Sequence, residues 1–246
     1  MSDVTEDLLL DGRVRLLQPH KGHRAGTDAV LLAASAPLKS GDVVMDVGAA
    51  TGAVGLMVAA RREAARVVFV ERDPHLAELC RANCRTNGIQ GEVAVADLLD
   101  RTSRQAAGLM PESADLVLTN PPFLEEGEAR ISPDRGRAAA HALPTGGLDA
   151  WLKASIGLLR PKGRFVMIHR ADRLADCLRM LENRLGRLEL RFVHPSAERP
   201  AIRLLLSGIK GSRAPVCVLP PVILNGPDGR FTPQAEALHR GDAILP

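Results

Sequence analysis

The segment Asn120-Pro121-Pro122-Phe123 could act on a planar amino group, and it follows the short apolar run Leu116–Leu118. Consecutive prolines keep the chain extended and leave their carbonyls without a partner in a helix or sheet, so these carbonyls can face a ligand. The Asn120 side-chain oxygen and the Pro121 carbonyl could then accept both hydrogens of an NH2 group and aim its lone pair at a carbon donor. Phe123 offers a ring on which a base could stack. The segment therefore predicts methyl or similar transfer to an amine, although a proline-rich turn beside a core phenylalanine would contain the same residues.

Three acidic residues, Asp46, Glu71 and Asp97, end three other apolar runs. The carboxyl ends of parallel strands meet at one edge of a sheet, where such sheets bind ligands, so these acids are predicted to converge there. Gly48 and Gly52 follow Asp46 and would let a cofactor approach the backbone closely. An acid in this turn would repel a pyrophosphate but suits an ammonium group, while Glu71 and Asp97 could hold an adenosine. The pattern favours S-adenosylmethionine over a dinucleotide, although Glu71 alone could be a solvated strand end.

Short apolar runs alternate with helical patterns in the part of the chain that carries these residues. Strands are predicted at Val43–Val47, Val67–Val70, Val93–Ala96, Leu116–Leu118 and Arg164–Ile168. Helices are predicted at Ala53–Arg61, at Pro74–Thr86 with Asp73 as N-cap, and at Leu148–Leu159. This alternation predicts an α/β fold with a doubly wound, mostly parallel sheet, and the near-continuous hydrophobicity of the strands agrees with helices on both faces.

Other elements are predicted on either side of this alternation. A hairpin should turn at Asp11-Gly12, and Thr27 should cap a short helix that ends at Ala34. A helix over Arg173–Leu185 and strands over Leu188–Val193 and Ile202–Ser207 should complete a sheet of seven strands with an antiparallel element near one edge.

Composition limits the class of protein. With 246 residues, 46% hydrophobic and 25% charged, the chain has the size of one compact domain. It contains no run of about 18 apolar residues, and its acidic N-terminus does not resemble a signal peptide, so a cytoplasmic protein without a membrane segment is expected. Cys80 and Cys84 would lie one helical turn apart and could supply half a metal site, but no matching pair exists elsewhere, so helix packing and no metal are expected.

Positive charge is concentrated in the C-terminal part of the chain. Residues 157–246 contain 15 Lys and Arg against 8 Asp and Glu, although the net charge of the whole chain is only +3. Only five of the 32 basic residues are lysines, and guanidinium groups pair well with phosphates. This distribution is compatible with a nucleic-acid partner, and equally with the codon usage of a GC-rich genome.

The segment DVGAATG, at positions 46–52, resembles the first motif of the class I methyltransferases, Asp-x-Gly-x-Gly-x-Gly. Ala50 stands where that motif has its middle glycine. The resemblance implies S-adenosylmethionine as cofactor, and the alanine could crowd it slightly.

Asn-Pro-Pro-Phe is shared by adenine N6 methyltransferases and by the enzymes that methylate a glutamine of release factors. Over nearly the whole chain, the sequence resembles the bacterial methyltransferases that modify the adenine beside the anticodon of a valine tRNA. The matching segments are GHRAGTDAVLLAA, NPPF, the stretch from Ser132 to His141, LLRPKGRFVMIHRADRL, and the tail from Gly208 to Asp242. The 40 residues before the sheet leave no room for the helical N-terminal domain of the release-factor enzymes.

The resemblance implies that Arg24, Thr27 and Asp28 form a lid over the cofactor, in which Arg24 could bridge its carboxylate. The loop from Leu124 to Gly147 is too long for a simple connection and is expected to hold the substrate beside Phe123. Candidate phosphate contacts are, in this loop, Arg130, Arg135, Arg137 and His141 and, in the C-terminal part, Arg199, Arg203, Lys210 and Arg213.

These observations predict an N-terminal hairpin and helix (1–36), a methyltransferase domain (37–210) and a C-terminal extension (211–246). The predicted activity is methyl transfer from S-adenosylmethionine to the exocyclic amine of an adenine, with tRNA as partner and no obligate protein partner. Asn120, Pro121, Pro122 and Phe123 are the predicted catalytic residues, and Arg24, Thr27, Asp46, Gly48, Gly52, Glu71, Asp97 and Asn120 the predicted cofactor contacts. Methylation of another NH2 group, on ribosomal RNA, DNA or a protein glutamine, remains an alternative, as does a non-catalytic binding module.

Overall fold

The computed structural model describes residues 4–21, 24–61, 65–122, 124–125, 142–143 and 147–245. Its strands are β1 (Val4–Leu9), β2 (Val14–Pro19), β3 (Val43–Val47), β4 (Arg66–Glu71), β5 (Glu92–Val95), β6 (Ala114–Thr119), β7 (Leu124–Glu125), β8 (Ala142–Leu143), β9 (Leu159–Arg170), β10 (Leu185–Ser196), β11 (Arg203–Lys210), β12 (Cys217–Val218) and β13 (Val222–Asn225). Its α-helices are α1 (Thr27–Ala34), α2 (Ala53–Arg61), α3 (Pro74–Thr86), α4 (Arg101–Ala106), α5 (Gly147–Leu158), α6 (Leu174–Leu181) and α7 (Pro233–Arg240).

The main sheet has the strand order β12-β10-β11-β9-β6-β3-β4-β5, and β13 also pairs with β10. Strands β5, β4, β3, β6 and β9 are parallel, whereas β11 is antiparallel to both of its neighbours. The prediction of a doubly wound, mostly parallel sheet with an antiparallel element near one edge is confirmed. Within the described residues the sheet has nine strands rather than the predicted seven, because β12 and β13 join β10 as one interrupted edge strand.

Buried apolar side chains cover both faces of this sheet. One cluster lies under α1, α2 and the C-terminal residues, and a second lies under α5 and α6. Every residue of β6 is buried, as expected for a strand with helices on both sides. Cys80 and Cys84 are buried free thiols on α3 that pack into the first cluster, as expected for residues with a packing role.

Helix bounds follow the sequence signals where a cap is clear. Helices α2 and α3 have the predicted limits, and the Asp73 carboxylate accepts hydrogen bonds from His75 N and Leu76 N, so the prediction of this cap is confirmed. The prediction that Thr27 caps α1 is wrong, because Gly26 is the N-cap and no side chain caps this end. The helix predicted over Arg173–Leu185 is also too long, because α6 ends at Leu181 and Asn183 adopts a left-handed φ of 62° before β10 begins.

The predicted N-terminal hairpin is confirmed, and Asn83 of α3 and the C-cap residue Asn87 attach it to this helix. Asn83 accepts a hydrogen bond from Leu17 N and donates to Leu17 O, and Asn87 makes the same pair of bonds with Arg15. Asn83 Nδ2 also donates to Thr51 O at 2.9 Å. One buried amide therefore joins the hairpin to the turn that follows β3.

Among the described residues, no helix combines the length and the apolar character that crossing a membrane requires.

Candidate active site

The turn after β3 approaches neighbouring elements closely at two glycines. Gly48 and Gly52 have left-handed φ values of 77° and 90°. A Cβ atom would lie 3.0 Å from the Trp151 ring at Gly48 and 2.6 Å from the Cys80 Sγ at Gly52. Gly48 N also donates to Val70 O at 2.9 Å, which joins the turn to the end of β4. The two glycines are thus needed for backbone conformation and packing.

Ala50, in the same turn, has a left-handed φ of 47°. This conformation costs a non-glycine residue about 1–2 kcal/mol, more than the roughly 0.5–1 kcal/mol that glycine loses in unfolded-state entropy. We therefore expect Ala50→Gly to raise the free energy of unfolding by about 0.5–1 kcal/mol, measured by urea denaturation. Ala237→Gly, inside α7, is the matched control and should lower it; a decrease for Ala50→Gly as well would contradict the account.

The predicted acids lie at the ends of adjacent strands, and two of them hold the turn in place. The Glu71 carboxylate accepts hydrogen bonds from Ala50 N at 2.8 Å and Asp73 N at 2.9 Å. Asp46 Oδ2 accepts one from Gly55 N at 2.8 Å, in the first turn of α2. A carboxylate has about four acceptor sites, so both can still bind a ligand. Asp97 is exposed at the next strand end, where Oδ1 accepts a hydrogen bond from Leu99 N.

The surroundings of Asp46 raise its pKa. Burial raises the pKa of Asp46 to about 7, the negative charge of Glu71 acts in the same direction, and the hydrogen bond from Gly55 N opposes both. Only 2% of Asp46 is exposed. A buried carboxyl with this pKa would bind a cationic group well in its ionised form.

Asn120 presents an unsatisfied acceptor beside this turn. Its Oδ1 atom is buried and accepts no hydrogen bond from any residue that the structure describes. A buried acceptor without a partner costs about 1–3 kcal/mol, a cost that a ligand with a donor group can remove. Pro121 is buried and Pro122 half-buried after it. The residues present therefore fit an amine donor at Asn120 and a cationic, ribose-containing cofactor across Gly48, Gly52, Asp46 and Glu71.

Two residues that the sequence did not indicate connect the glycine turn to Asn120. The Trp151 indole Nε1 donates to Thr119 Oγ1 at 2.9 Å, and Thr119 Oγ1 donates to Val47 O, also at 2.9 Å. Thr119 and Val47 are the last pair of β6 and β3, directly before Asn120 and Gly48. A strand-end threonine and a lone tryptophan 32 positions away share no spacing signal, so only the fold reveals this chain of hydrogen bonds.

Removing the Thr119 hydroxyl should break the hydrogen-bonded link between Trp151 and the end of β3. Thr119→Val keeps the shape but removes the acceptor of the buried Trp151 N–H and the hydrogen bond to Val47 O, so we expect kcat to fall about tenfold, the rate equivalent of roughly 1.4 kcal/mol. Thr119→Ser keeps the hydroxyl and should restore most of the rate. Steady-state kinetics on folded variants would measure this, and equal rates for the valine and serine variants would refute it.

The predicted cofactor contacts Arg24 and Thr27 lie around the start of α1. The Arg24 guanidinium donates to Thr5 Oγ1, Pro19 O and Asp7 Oδ2, so the hairpin holds it in place. Thr27 Oγ1 lies 3.3 Å from His239 Nε2. Contacts of Arg24 and Thr27 with a cofactor stay predictions.

The structure separates the predicted RNA contacts into two groups. Arg203 begins β11 and Arg199 precedes it, so both lie at the edge where β6 ends, and Arg203 pairs with Asp28 at 2.8 Å. Because β11 is antiparallel, Lys210 and Arg213 lie at the opposite edge, where Lys210 Nζ binds Glu112 and Leu159 O. Contacts of Arg199, Arg203, Lys210 and Arg213 with RNA stay predictions. The remaining predicted contacts lie outside the described residues: Phe123, Arg130, Arg135, Arg137 and His141.

Among the described residues, no group of three or more His, Cys, Asp and Glu side chains is arranged to hold a metal ion.

Two curated relatives carry the same name. The chain is 35% identical to the tRNA1(Val) (adenine(37)-N6)-methyltransferase of Porphyromonas gingivalis over 159 residues, which span 62% of this chain and 61% of that protein. It is 30% identical to the enzyme of the same name from Musicola paradisiaca over 211 residues, 82% of each chain.

Comparison with solved structures agrees on the fold. A predicted O-methyltransferase from Agrobacterium tumefaciens superposes with a TM-score of 0.75 at 30% identity, covering 89% of this chain and 98% of that one. A Thermus thermophilus 16S rRNA N2 G1207 methyltransferase in complex with AdoMet and guanosine superposes with a TM-score of 0.59 at 21% identity, covering 84% of this chain and 50% of that one.

Residues 23–190 match the family described as methyltransferase small domain. With this match over more than half of its length, and with the fold of the class I methyltransferases, the chain belongs to the methyltransferase small domain family.

Proposed function

We propose that this protein transfers a methyl group from S-adenosylmethionine to the N6 amine of an adenine in tRNA. The observation that carries the proposal is the buried, unpartnered Asn120 Oδ1 at the end of β6, beside the glycine turn after β3. The names of the relatives from Porphyromonas gingivalis and Musicola paradisiaca support adenine in tRNA as the substrate.

In this mechanism the protein positions the amine and stabilises charge, and no residue forms a covalent bond. The cofactor, when bound, supplies an electrophilic methyl group on a sulfonium. Asn120 Oδ1 and the Pro121 carbonyl accept the two hydrogens of the amine, which holds its nitrogen and favours the geometry of attack. Thr119 and Trp151 hold Asn120 at a fixed position relative to Gly48. Asp46, Glu71 and Asp97 are proposed to bind the cationic and hydroxyl groups of the cofactor.

A hydroxyl acceptor is the second candidate, because the Agrobacterium tumefaciens structure is titled a predicted O-methyltransferase. Two adjacent hydrogen-bond acceptors, Asn120 Oδ1 and Pro121 O, suit a group with two hydrogens better than a hydroxyl with one. An amine acceptor is therefore favoured.

The extensions outside the core are proposed to serve the same substrate. Residues 1–36 and 211–246 would be additions to a methyltransferase domain at 37–210, and Arg199 and Arg203 would contact phosphates near the crevice. A tRNA substrate would place the protein in the cytoplasm.

The test is incubation with labelled S-adenosylmethionine and separate tRNA transcript, ribosomal RNA, DNA and protein fractions, followed by nucleoside or amino-acid analysis. We expect N6-methyladenosine in tRNA. A 2′-O-methyl nucleoside would support the hydroxyl alternative, and methylated glutamine or DNA would change the substrate. Cofactor binding without product in any fraction would indicate a non-catalytic module and overturn the proposal.

A further inference from the structure

A second aromatic side chain lies exposed on the C-terminal extension. Phe231 is 45% exposed, and its ring stacks on the His239 imidazole with centroids 4.4 Å apart and 20° between the planes. His239 Nδ1 lies 2.8 Å from the Ala235 carbonyl, and its Nε2 lies 3.3 Å from Thr27 Oγ1. The imidazole is thus held from two sides and supports the phenylalanine ring, much of which remains open to solvent.

The topology places this ring at the edge of the sheet that carries Asn120. Phe231 forms a bridge with Asn225, the last residue of β13, and Asn225 lies opposite Ser196 at the end of β10. Both strands run parallel to β6 and β9, so their ends face the same side as Asn120. Four strand spacings separate β13 from β6, which is roughly 19 Å across the sheet. The contact between His239 and Thr27 also links the ring to α1, whose start carries predicted cofactor contacts.

Two exposed arginines lie at the same edge of the sheet as the ring. Arg230 directly precedes Phe231, and Arg199 lies in the turn that follows β10. Neither side chain forms an ion pair with a residue in the described part of the chain. The same turns carry Glu198 and Asp228, and the Asp228 carboxylate accepts a hydrogen bond from Arg230 N, so it is directed toward its own turn. An open aromatic face with adjacent arginines is the combination that binds a base and its phosphate.

We propose that Phe231 stacks on an unpaired base that flanks the target adenine in the RNA, while Arg199 and Arg230 contact the adjoining phosphates. This inference rests on the proposed function, because it takes RNA as the substrate. The C-terminal extension would then select RNA segments in which at least one base besides the modified adenine is exposed. Stacking tolerates any base, so the contact adds affinity and register rather than a sequence code.

The test compares Phe231→Ala and Phe231→Trp with the unaltered protein, using an unmodified tRNA transcript. Base stacking on an aromatic is worth about 1–3 kcal/mol, so Phe231→Ala should weaken RNA binding about tenfold or more and raise KM for RNA. The kcat at saturating RNA and the affinity for the cofactor should stay unchanged, and Phe231→Trp should restore binding. Met110→Ala is the matched control, because Met110 is 61% exposed just before β6, at the opposite edge.

A scan of abasic positions through the RNA identifies the stacked base. At that position, base removal should weaken binding to the unaltered protein but cause no further loss with Phe231→Ala. Additive losses at every position would overturn the inference.

Two outcomes separate this inference from the proposed function. If the unaltered protein methylates tRNA and Phe231→Ala binds RNA equally well, the stacking contact is wrong and the function stands. If the unaltered protein methylates no RNA, the function itself fails.

If Phe231→Ala unfolds, the double variant Arg199→Ala/Arg230→Ala tests the inference instead, because it leaves the ring stack intact. Weaker RNA binding with a shallower salt dependence would support the contact, and unchanged RNA binding would overturn it.

Discussion

Asn120→Ala should bind S-adenosylmethionine normally and lose about 10²–10³ in kcat, the loss typical when one preorganised transition-state contact is removed. Asn120 Oδ1 is buried without a partner among the described residues, so alanine removes an acceptor that is open to a ligand. Calorimetry with the cofactor and single-turnover methylation of a tRNA transcript would measure the two effects separately.

Asn120→Asp provides the matched comparison, because it keeps an oxygen at the same place. It should retain more turnover than the alanine variant. A variant without any acceptor at position 120 that still methylates at the normal rate would show that this side chain does not hold the amine. Loss of cofactor binding in Asn120→Ala would instead place Asn120 in the cofactor site alone.

Cofactor affinity should depend strongly on pH because of Asp46. The pKa of Asp46 is about 7 in the free protein, and a cationic cofactor favours the ionised form, so binding should release a proton below pH 7. Affinity should then fall about tenfold for each pH unit below 7, or about a hundredfold at pH 5. Calorimetry in buffers of different ionisation enthalpy would detect the released proton directly.

The same carboxyl affects stability without cofactor. Its folded pKa lies above the unfolded value of 3.8, so the stabilisation from bound proton is full below pH 4 and is lost as pH rises to about 7. The loss is about 4 kcal/mol for a shift of roughly three units in a fully buried group. Asp46→Asn should remove both pH dependences, whereas Asp97→Asn, at an exposed acid, should retain them. Parallel pH profiles for Asp46→Asn and the unaltered protein would refute this role.

The sequence predicts the parts of the fold that depend on local signals. Asp73 and Pro74 define the start of α3, and the apolar runs before Asp46, Glu71 and Asn120 are strands of the sheet. Local signals fail where two neighbouring residues are both suited to cap a helix. At the start of α1 these are Gly26 and Thr27, and the glycine is the N-cap. Local signals also fail for β12 and β13, which are too short to stand out between prolines and form strands through pairing with β10.

The site is predictable as far as the residues at strand ends. The sequence does not reveal that Trp151 and Thr119 join Gly48 to Asn120, because their contact depends on the packing of α5 against β6. Nor can it place Lys210, since the edge at which a strand ends depends on the direction of pairing. Phe231 is a similar case, because its exposure follows from the position of α7 rather than from its neighbours in sequence.

The position of β11 between β10 and β9 has a consequence for synthesis on the ribosome. Strand β10 precedes β11 in the chain, yet β11 separates it from β9. Until residues 203–210 leave the exit tunnel, β10 lacks its main partner and the apolar border of β9 stays uncovered. From the emergence of β9 until residues 203–210 follow it, the nascent chain therefore holds a parallel half-sheet with an exposed apolar edge, a state that favours chaperone binding.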